Sequence, residues 1–550
     1  MPDHLSRYAL SENETIENRL QQINTELVVQ GKFLEALQQL MMLGVDHFNN
    51  SQLWLLVGHV YTRIANWSDA LSALDTAIAL NPMQWQAQRL KALALFSLGR
   101  RQEACDLINR VVQHSSESGD WMLRAYILAH ASSDPIHALQ AARDWGRRFA
   151  DPLTRNAKPL QVAGKGVGKK LKVGYVTADF REHSIAFFMM PIISHHNSEN
   201  VEIYVYNNGH WDAITAQIRA SVSNWLDVVN ISDEDLCAQI RQDGIDVLVD
   251  LSGFTHGHRL GVFARRAAPV QVTWLGYMQP LGMKAMDYRL VDMGIAPIDH
   301  AKYYSEKLFY LKCMAAYAPP AYSPLCDDLP MLRNGYPTLI SLNSSAKITD
   351  EMLRTWARIL HLRADARLII MVKELSAEAA QADMQPRVQA AGMPLDRVSV
   401  MHQQPLNNFM ELGYIADIAL DTSPISGGTT TLHALWMGML IVCMDADRGV
   451  DASTARTLKG LGFGGEIAKD EKSYIDAALL LMNSPELLQI RRKDLRDRMR
   501  KSILMDYASR TAELEKAYRL MWLNWVIGKP KSLSIDTDVD ALIAETGVAA

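Results

Sequence analysis

Three stretches of this chain carry residue types suited to receiving a departing diphosphate. In 418–436, IALDTSPISGGTTTLHALW, a short apolar run leads through Asp421 to Gly427 and Gly428, then to Thr429, Thr430, Thr431 and His433. Strand, glycine-rich turn and helix start in that order make an anion site. The glycines let the backbone approach a ligand, and the unpaired N–H groups of the first helical turn point at it with the positive end of the helix dipole behind them. Taken alone, the stretch fits a glycine turn with helix-capping threonines equally well. The run Asn343-Ser344-Ser345-Ala346-Lys347 adds a cation, and Asp179-Phe180-Arg181-Glu182-His183 adds an imidazole that can hold or donate a proton. A lysine capping a strand and a histidine bonding a loop carbonyl are the ordinary alternatives, so the placement of these stretches has to decide.

The elements around them supply that placement. Apolar runs at 172–176, 202–206, 246–250, 270–275 and 289–292 read as strands separated by helical segments such as 233–242. A Pro-rich crossing at 319–337 interrupts them, and the pattern resumes with strands at 338–342, 367–372, 397–401, 418–420 and 441–444 and a helix at 350–362. Such alternation predicts two doubly wound halves, each a parallel sheet covered on both faces, with ligands at the carboxyl ends of the strands and the cleft between the halves as the site. The loops at 179–183, 253–258, 274–277, 343–347 and 421–428, together with Lys373, would all look into that cleft.

Before these halves, alanines recur every 34 residues at Ala36, Ala70, Ala104 and Ala138. This is the tetratricopeptide period, and the second unit carries the fullest pattern, with Trp54, Gly58, Tyr61, Ala77 and Pro82. The predicted fold class is therefore α followed by α/β. A tetratricopeptide-type α-solenoid spans 1–150, a linker 151–170, a first Rossmann-like half 171–325 and a second 326–528, with a disordered acidic tail over 529–550. The solenoid reads either as a protein-binding concave face or as a buttress for its neighbour.

Composition narrows the class. A net charge of -5 without a long basic run leaves nucleic acid no electrostatic footprint. The five cysteines are scattered without metal spacing, which suits reduced thiols and a cytoplasmic location, and no apolar run reaches the ~20 residues that span a bilayer. His256 and His258 bracket a glycine without an evident third ligand, and Asp445-Ala446-Asp447 reads as a solvated loop, so no metal site is expected. GKGVGKK at 164–170 lacks the preceding strand and the Ser or Thr of a phosphate-binding Walker loop.

The motifs KVGYVTADFREHS, DGIDVLVDLSGFT, RRAAPVQVTWLGY, SLNSSAKITDEMLRTWARIL and ADIALDTSPISGGTTTLHALWMG resemble, in order, the catalytic region of the nucleocytoplasmic O-GlcNAc transferases and their plant relative SPINDLY. The resemblance runs over about 171–525. It implies a GT-B glycosyltransferase that transfers a sugar, with inversion and without metal or other cofactor, from a nucleotide sugar to Ser or Thr hydroxyls of a protein acceptor. Flagellin is a candidate acceptor by family analogy if the source is a motile bacterium. His183 matches a proposed catalytic histidine, Lys347 the lysine that holds the diphosphate, and Thr429 and Thr430 the threonines whose amides bind phosphate. Leu275 and Gly276 lie where the WLGY loop borders the sugar.

The donor is where this chain departs from the pattern. Gly428 stands where O-GlcNAc transferases have a histidine, Phe409 where a histidine lies against uracil, His433 in place of a ribose-contacting carboxylate, and Met278-Gln279-Pro280-Leu281-Gly282 in place of a proline-led turn. UDP-GlcNAc is the expected donor. GDP-fucose-dependent O-fucosyl transfer, N-linked glucosylation of asparagine, and a scaffold with a decayed catalytic half are the alternatives. A nucleotide-sugar epimerase shares the two-domain plan but has no need of a solenoid.

Overall fold

The computed structural model describes residues 15–132, 134–160, 162, 166–445, 452–528 and 533–546. Ala446 and Asp447 of the paired-aspartate motif, and Gly164 and Lys165 of the glycine-lysine run, lie outside them.

The amino-terminal region is a stack of helix pairs whose second members are Phe33–Asp46, Trp67–Leu80, Arg101–His114 and Pro135–Trp145. Their first residues fall 34 apart, as the alanine period requires. Ala36, Ala70, Ala104 and Ala138 are all buried, because only a small side chain lets neighbouring helices approach at these positions. Gly58 sets the same limit within one pair, since a Cβ there would stand 2.6 Å from Cγ of Leu74.

Two parallel sheets follow. The first holds β1 Leu171–Thr177, β2 Val201–Asn207, β3 Asn224–Asp227, β4 Val247–Asp250, β5 Val270–Thr273, β6 Tyr288–Asp292 and β7 Lys307–Leu311, in the order β3-β2-β1-β4-β5-β6-β7. The second holds β8 Thr338–Ser341, β9 Arg367–Met371, β10 Val398–Met401, β11 Ile418–Leu420, β12 Leu440–Met444 and β13 Ile467–Ala468, in the order β10-β9-β8-β11-β12-β13. Every residue of β4, β5, β8 and β11 is buried, the signature of strands covered on both faces. The apolar-run pattern misses β3, β7 and β13, all edge strands. NWLD is half-buried, KLFYL starts at an exposed lysine, and β13 has two residues, so none offers a continuous apolar run. The whole is a solenoid joined to the two-domain GT-B arrangement.

Two features at the carboxyl end differ from the expected division. The helix Tyr507–Ile527 crosses back and packs on the first half, where Leu514, Tyr518, Met521 and Trp522 are buried and the Tyr518 and Tyr175 hydroxyls lie 3.3 Å apart. The expected disorder of 529–550 gives way, over the described part, to a second short helix, Val539–Thr546. Val539, Leu542 and Ile543 form one apolar face on the first half's core, too short a pattern to stand out among the acidic residues around it. Among the described residues no helix is long and apolar enough to cross a membrane.

Candidate functional site

In an open parallel sheet a crevice forms where the strand order reverses, because the loops leaving two adjacent strands there diverge to opposite faces. The reversal falls between β1 and β4 in the first sheet and between β8 and β11 in the second. The loops at those four carboxyl ends carry Asp179 to His183, Gly253 to His258, Asn343 to Lys347 and Asp421 to Gly428. The predicted catalytic and glycine-turn residues therefore occupy the two switch points.

His183 is the N-cap of the helix Ser184–His195, and its Nδ1 accepts the Ile185 N–H at 3.3 Å. That bond places the proton of the neutral ring on Nε2. The Asp179 carboxylate lies 3.6 Å from Nδ1 and 3.7 Å from the Arg181 guanidinium. Burial, Arg181 and Lys373 together push the imidazole down to about 4. Burial pushes Asp179 up to about 6 against the pull of Arg181. At neutral pH the site thus holds a neutral imidazole beside a carboxylate. Lys373, just past β9, meets water but is walled in by surrounding protein, and this partial desolvation lowers its pKa.

Across the second sheet's switch point, the Lys347 ammonium donates to the Ser426 carbonyl at 2.7 Å, directly before the glycine turn. Asp421 shapes that turn from below, its Oδ1 accepting the Gly427 N–H at 2.8 Å and the Asn343 amide at 3.3 Å. Burial raises the Asp421 pKa. A Cβ on Gly427 would lie 2.4 Å from Oγ1 of Thr431, whereas Gly428 borders open space. The helix Thr429–Trp436 has no side-chain cap, which leaves the amides of its first turn for a ligand. Sequence reasoning missed Thr454, whose Oγ1 lies 2.8 Å from that of Thr431 and whose N–H donates to Ser426 Oγ at 3.4 Å. It brings the start of a second helix, Ser453–Gly460, to the same turn.

Leu275 and Gly276 form the turn after β5. Leu275 has φ +63°, a conformation that costs a non-glycine residue about 1 kcal/mol or more. A Cβ on Gly276 would stand 1.9 Å from the Leu251 carbonyl oxygen, so this turn is pressed against the exit of β4. Phe409 and His433 come together, but in packing. They are 7% and 5% exposed, and the His433 ring lies 4.9 Å from Phe187 and 5.9 Å from Phe409. Nδ1 of His433 shares a hydrogen bond with the Tyr317 hydroxyl at 2.7 Å, and burial pushes this imidazole down to about 3. His258 is likewise occupied, accepting the Leu260 N–H at 3.4 Å, and among the described residues no group of three potential ligands forms a metal cluster.

Comparison with known proteins extends this picture. Residues 154–316 and 338–514 match Glycosyl transferase family 41. A tomato (Solanum lycopersicum) protein named probable UDP-N-acetylglucosamine--peptide N-acetylglucosaminyltransferase SPINDLY is 33% identical over 72% of this chain and 43% of its own length. The Arabidopsis thaliana protein of the same enzyme name called SEC is 28% identical over 71% of this chain and 42% of its own. The chain thus spans under half the length of these curated relatives. Among solved structures, a mutant O-GlcNAc transferase of Thermobaculum terrenum superposes with TM-score 0.83 at 29% identity, covering 96% of this chain and 99% of that one.

Proposed function

Because the chain belongs to glycosyl transferase family 41, we propose that it is a protein O-glycosyltransferase that moves a sugar, GlcNAc from UDP-GlcNAc, to Ser or Thr hydroxyls of a protein acceptor presented by the solenoid. The observation that carries this reading is the contact of Lys347 with Ser426, which sets an ammonium beside the uncapped helix start at the switch point of the second sheet. Breaking a glycosyl–phosphate bond leaves negative charge on the nucleotide. A fixed cation and several oriented N–H groups stabilise that charge without reorganising as it forms, and the residues to do so are present without recourse to a metal.

The acceptor hydroxyl displaces the nucleotide at the anomeric carbon, with inversion. The new C–O bond forms as the bond to the diphosphate breaks, the hydroxyl proton passes to an oxygen of the departing diphosphate, and the diphosphate leaves into the cradle of Lys347 and the amides of Thr429, Thr430 and Thr431. His183 acts as a hydrogen-bond donor through Nε2, orienting the reacting oxygens, because its Nδ1 is engaged by the Ile185 N–H. A second reading, a GDP-linked fucose donor, draws on Gly428, which faces open space where a histidine would otherwise reach the nucleotide.

Lys347→Ala is expected to lower transfer by about 10²–10³-fold while leaving the melting temperature nearly unchanged. Thermal shifts with UDP, UDP-GlcNAc, GDP and GDP-fucose measured side by side separate the donors, since only a ligand that binds the native state raises its melting point. Normal transfer by Lys347→Ala sinks the leaving-group assignment. Absence of any shift returns the chain to a scaffold.

A further inference from the structure

The segment bearing Lys347 is gripped through its backbone by two arginines, one of them from the solenoid. Arg101, the first residue of the helix Arg101–His114, donates from its guanidinium to the carbonyls of Ala346 at 3.0 Å and Lys347 at 3.4 Å. Arg387, from the helix Ala377–Ala390 of the second half, donates to the next carbonyl, Ile348, at 2.6 Å and is itself fixed by Asp350 at 2.8 Å. Gly99, with φ +77°, lets the solenoid turn come this close, since a Cβ there would stand 3.2 Å from both the Arg387 guanidinium and the Ile348 carbonyl. Ala346 also packs against the core cluster that the later repeats share with the first half.

We propose that Arg101 is a positioning residue for the donor site, acting through Lys347. Its guanidinium holds the two carbonyls that flank the Lys347 side chain. That side chain in turn reaches the Ser426 carbonyl at the start of the glycine turn, so the grip runs from repeat to loop to lysine to phosphate cradle. A charge-assisted bond to a backbone carbonyl fixes position without adding charge to the ligand pocket. The solenoid is thereby part of the nucleotide site as well as a surface for an acceptor, and its docking is coupled to donor affinity. The inference rests on the assignment of Lys347 to the diphosphate.

The test uses the full chain with UDP as probe, or GDP if the guanosine pair proves to bind. Binding is measured by calorimetry, and donor KM and kcat are measured separately. Arg101→Ala is expected to weaken nucleotide binding and raise donor KM by about tenfold with a smaller change in kcat, and Arg101→Lys to recover part of the loss. Asp383→Asn is the control. It weakens another contact of the solenoid with the helix that carries Arg387, where Asp383 accepts the Ser68 N–H at 3.0 Å, without touching the carbonyls that Arg101 holds, and should leave nucleotide affinity unchanged. Unchanged affinity in Arg101→Ala, or equal losses in Arg101→Ala and Asp383→Asn, overturns the proposal while Lys347→Ala still binds poorly. If Lys347→Ala binds the nucleotide normally, the underlying site assignment is what has failed.

Discussion

At the scale of the residue, His183 does two jobs with one ring. As N-cap it satisfies an otherwise unpaired N–H of its helix, and in doing so it commits Nδ1 and turns Nε2–H outward. Burial keeps the ring neutral, and the nearby positive charges of Arg181 and Lys373 add to that effect. If the neutral ring is the working form, the acidic limb that His183 contributes to the rate profile falls near pH 4 rather than near its ordinary value. His183→Ala should lose about 10²-fold in rate and about 1 kcal/mol in stability. His183→Asn, which keeps both a cap and a donor, should lose less of each. A rate profile and a melt for each variant check this, and equal losses in the two would mean that the donor is irrelevant.

At the scale of the element, the solenoid meets the first half backbone to backbone. A Cβ on Gly146 would lie 2.1 Å from the Gly282 carbonyl oxygen, and one on Gly282 would lie 2.1 Å from the carbonyl carbon of Ala142. The segment Met278 to Gly282 thus contains the turn that seats the last repeat. Beyond it Tyr277 stacks at 6.2 Å on Tyr126 of the solenoid and meets Phe254 at 5.3 Å. Gly146→Val should therefore separate these layers at a cost of about 1–3 kcal/mol. Limited proteolysis is the check: the variant should release the repeats under conditions in which the wild-type chain stays intact.

At the scale of the whole molecule, the two halves are joined by more than a linker. Phe187, one helical turn past His183, inserts into the core of the second half, and the closing helix Tyr507–Ile527 returns to the first. His433 sits in that seam as a neutral ring. Its folded pKa of about 3 lies below the ordinary 6.5 expected on unfolding, so its contribution is intact above pH 6.5 and is lost as pH falls toward 3. The loss should reach about 2 kcal/mol by pH 5. Replacing His433 with Gln removes this dependence, so the urea midpoint of His433→Gln should fall less steeply between pH 7 and 5 than that of the wild type. Parallel slopes would show that the ring titrates in water.

The sequence by itself determined what local chemistry dictates. The 34-residue alanine period imposes helix pairs because the small side chain is needed wherever they touch, and fully buried strands announce themselves as apolar runs. The strand-turn-helix order at 418–436 was legible for the same reason. What only the tertiary structure decided depends on partners far apart in the chain. Edge strands β3 and β7 are half-exposed and carry no continuous pattern, and the helix Tyr507–Ile527 packs on a sheet more than three hundred residues earlier. The burial of Phe409 and His433 follows from Phe187 arriving from the other half. The grip of Arg101 on the Lys347 loop joins residues 245 and 246 positions apart, a juxtaposition that no local periodicity encodes.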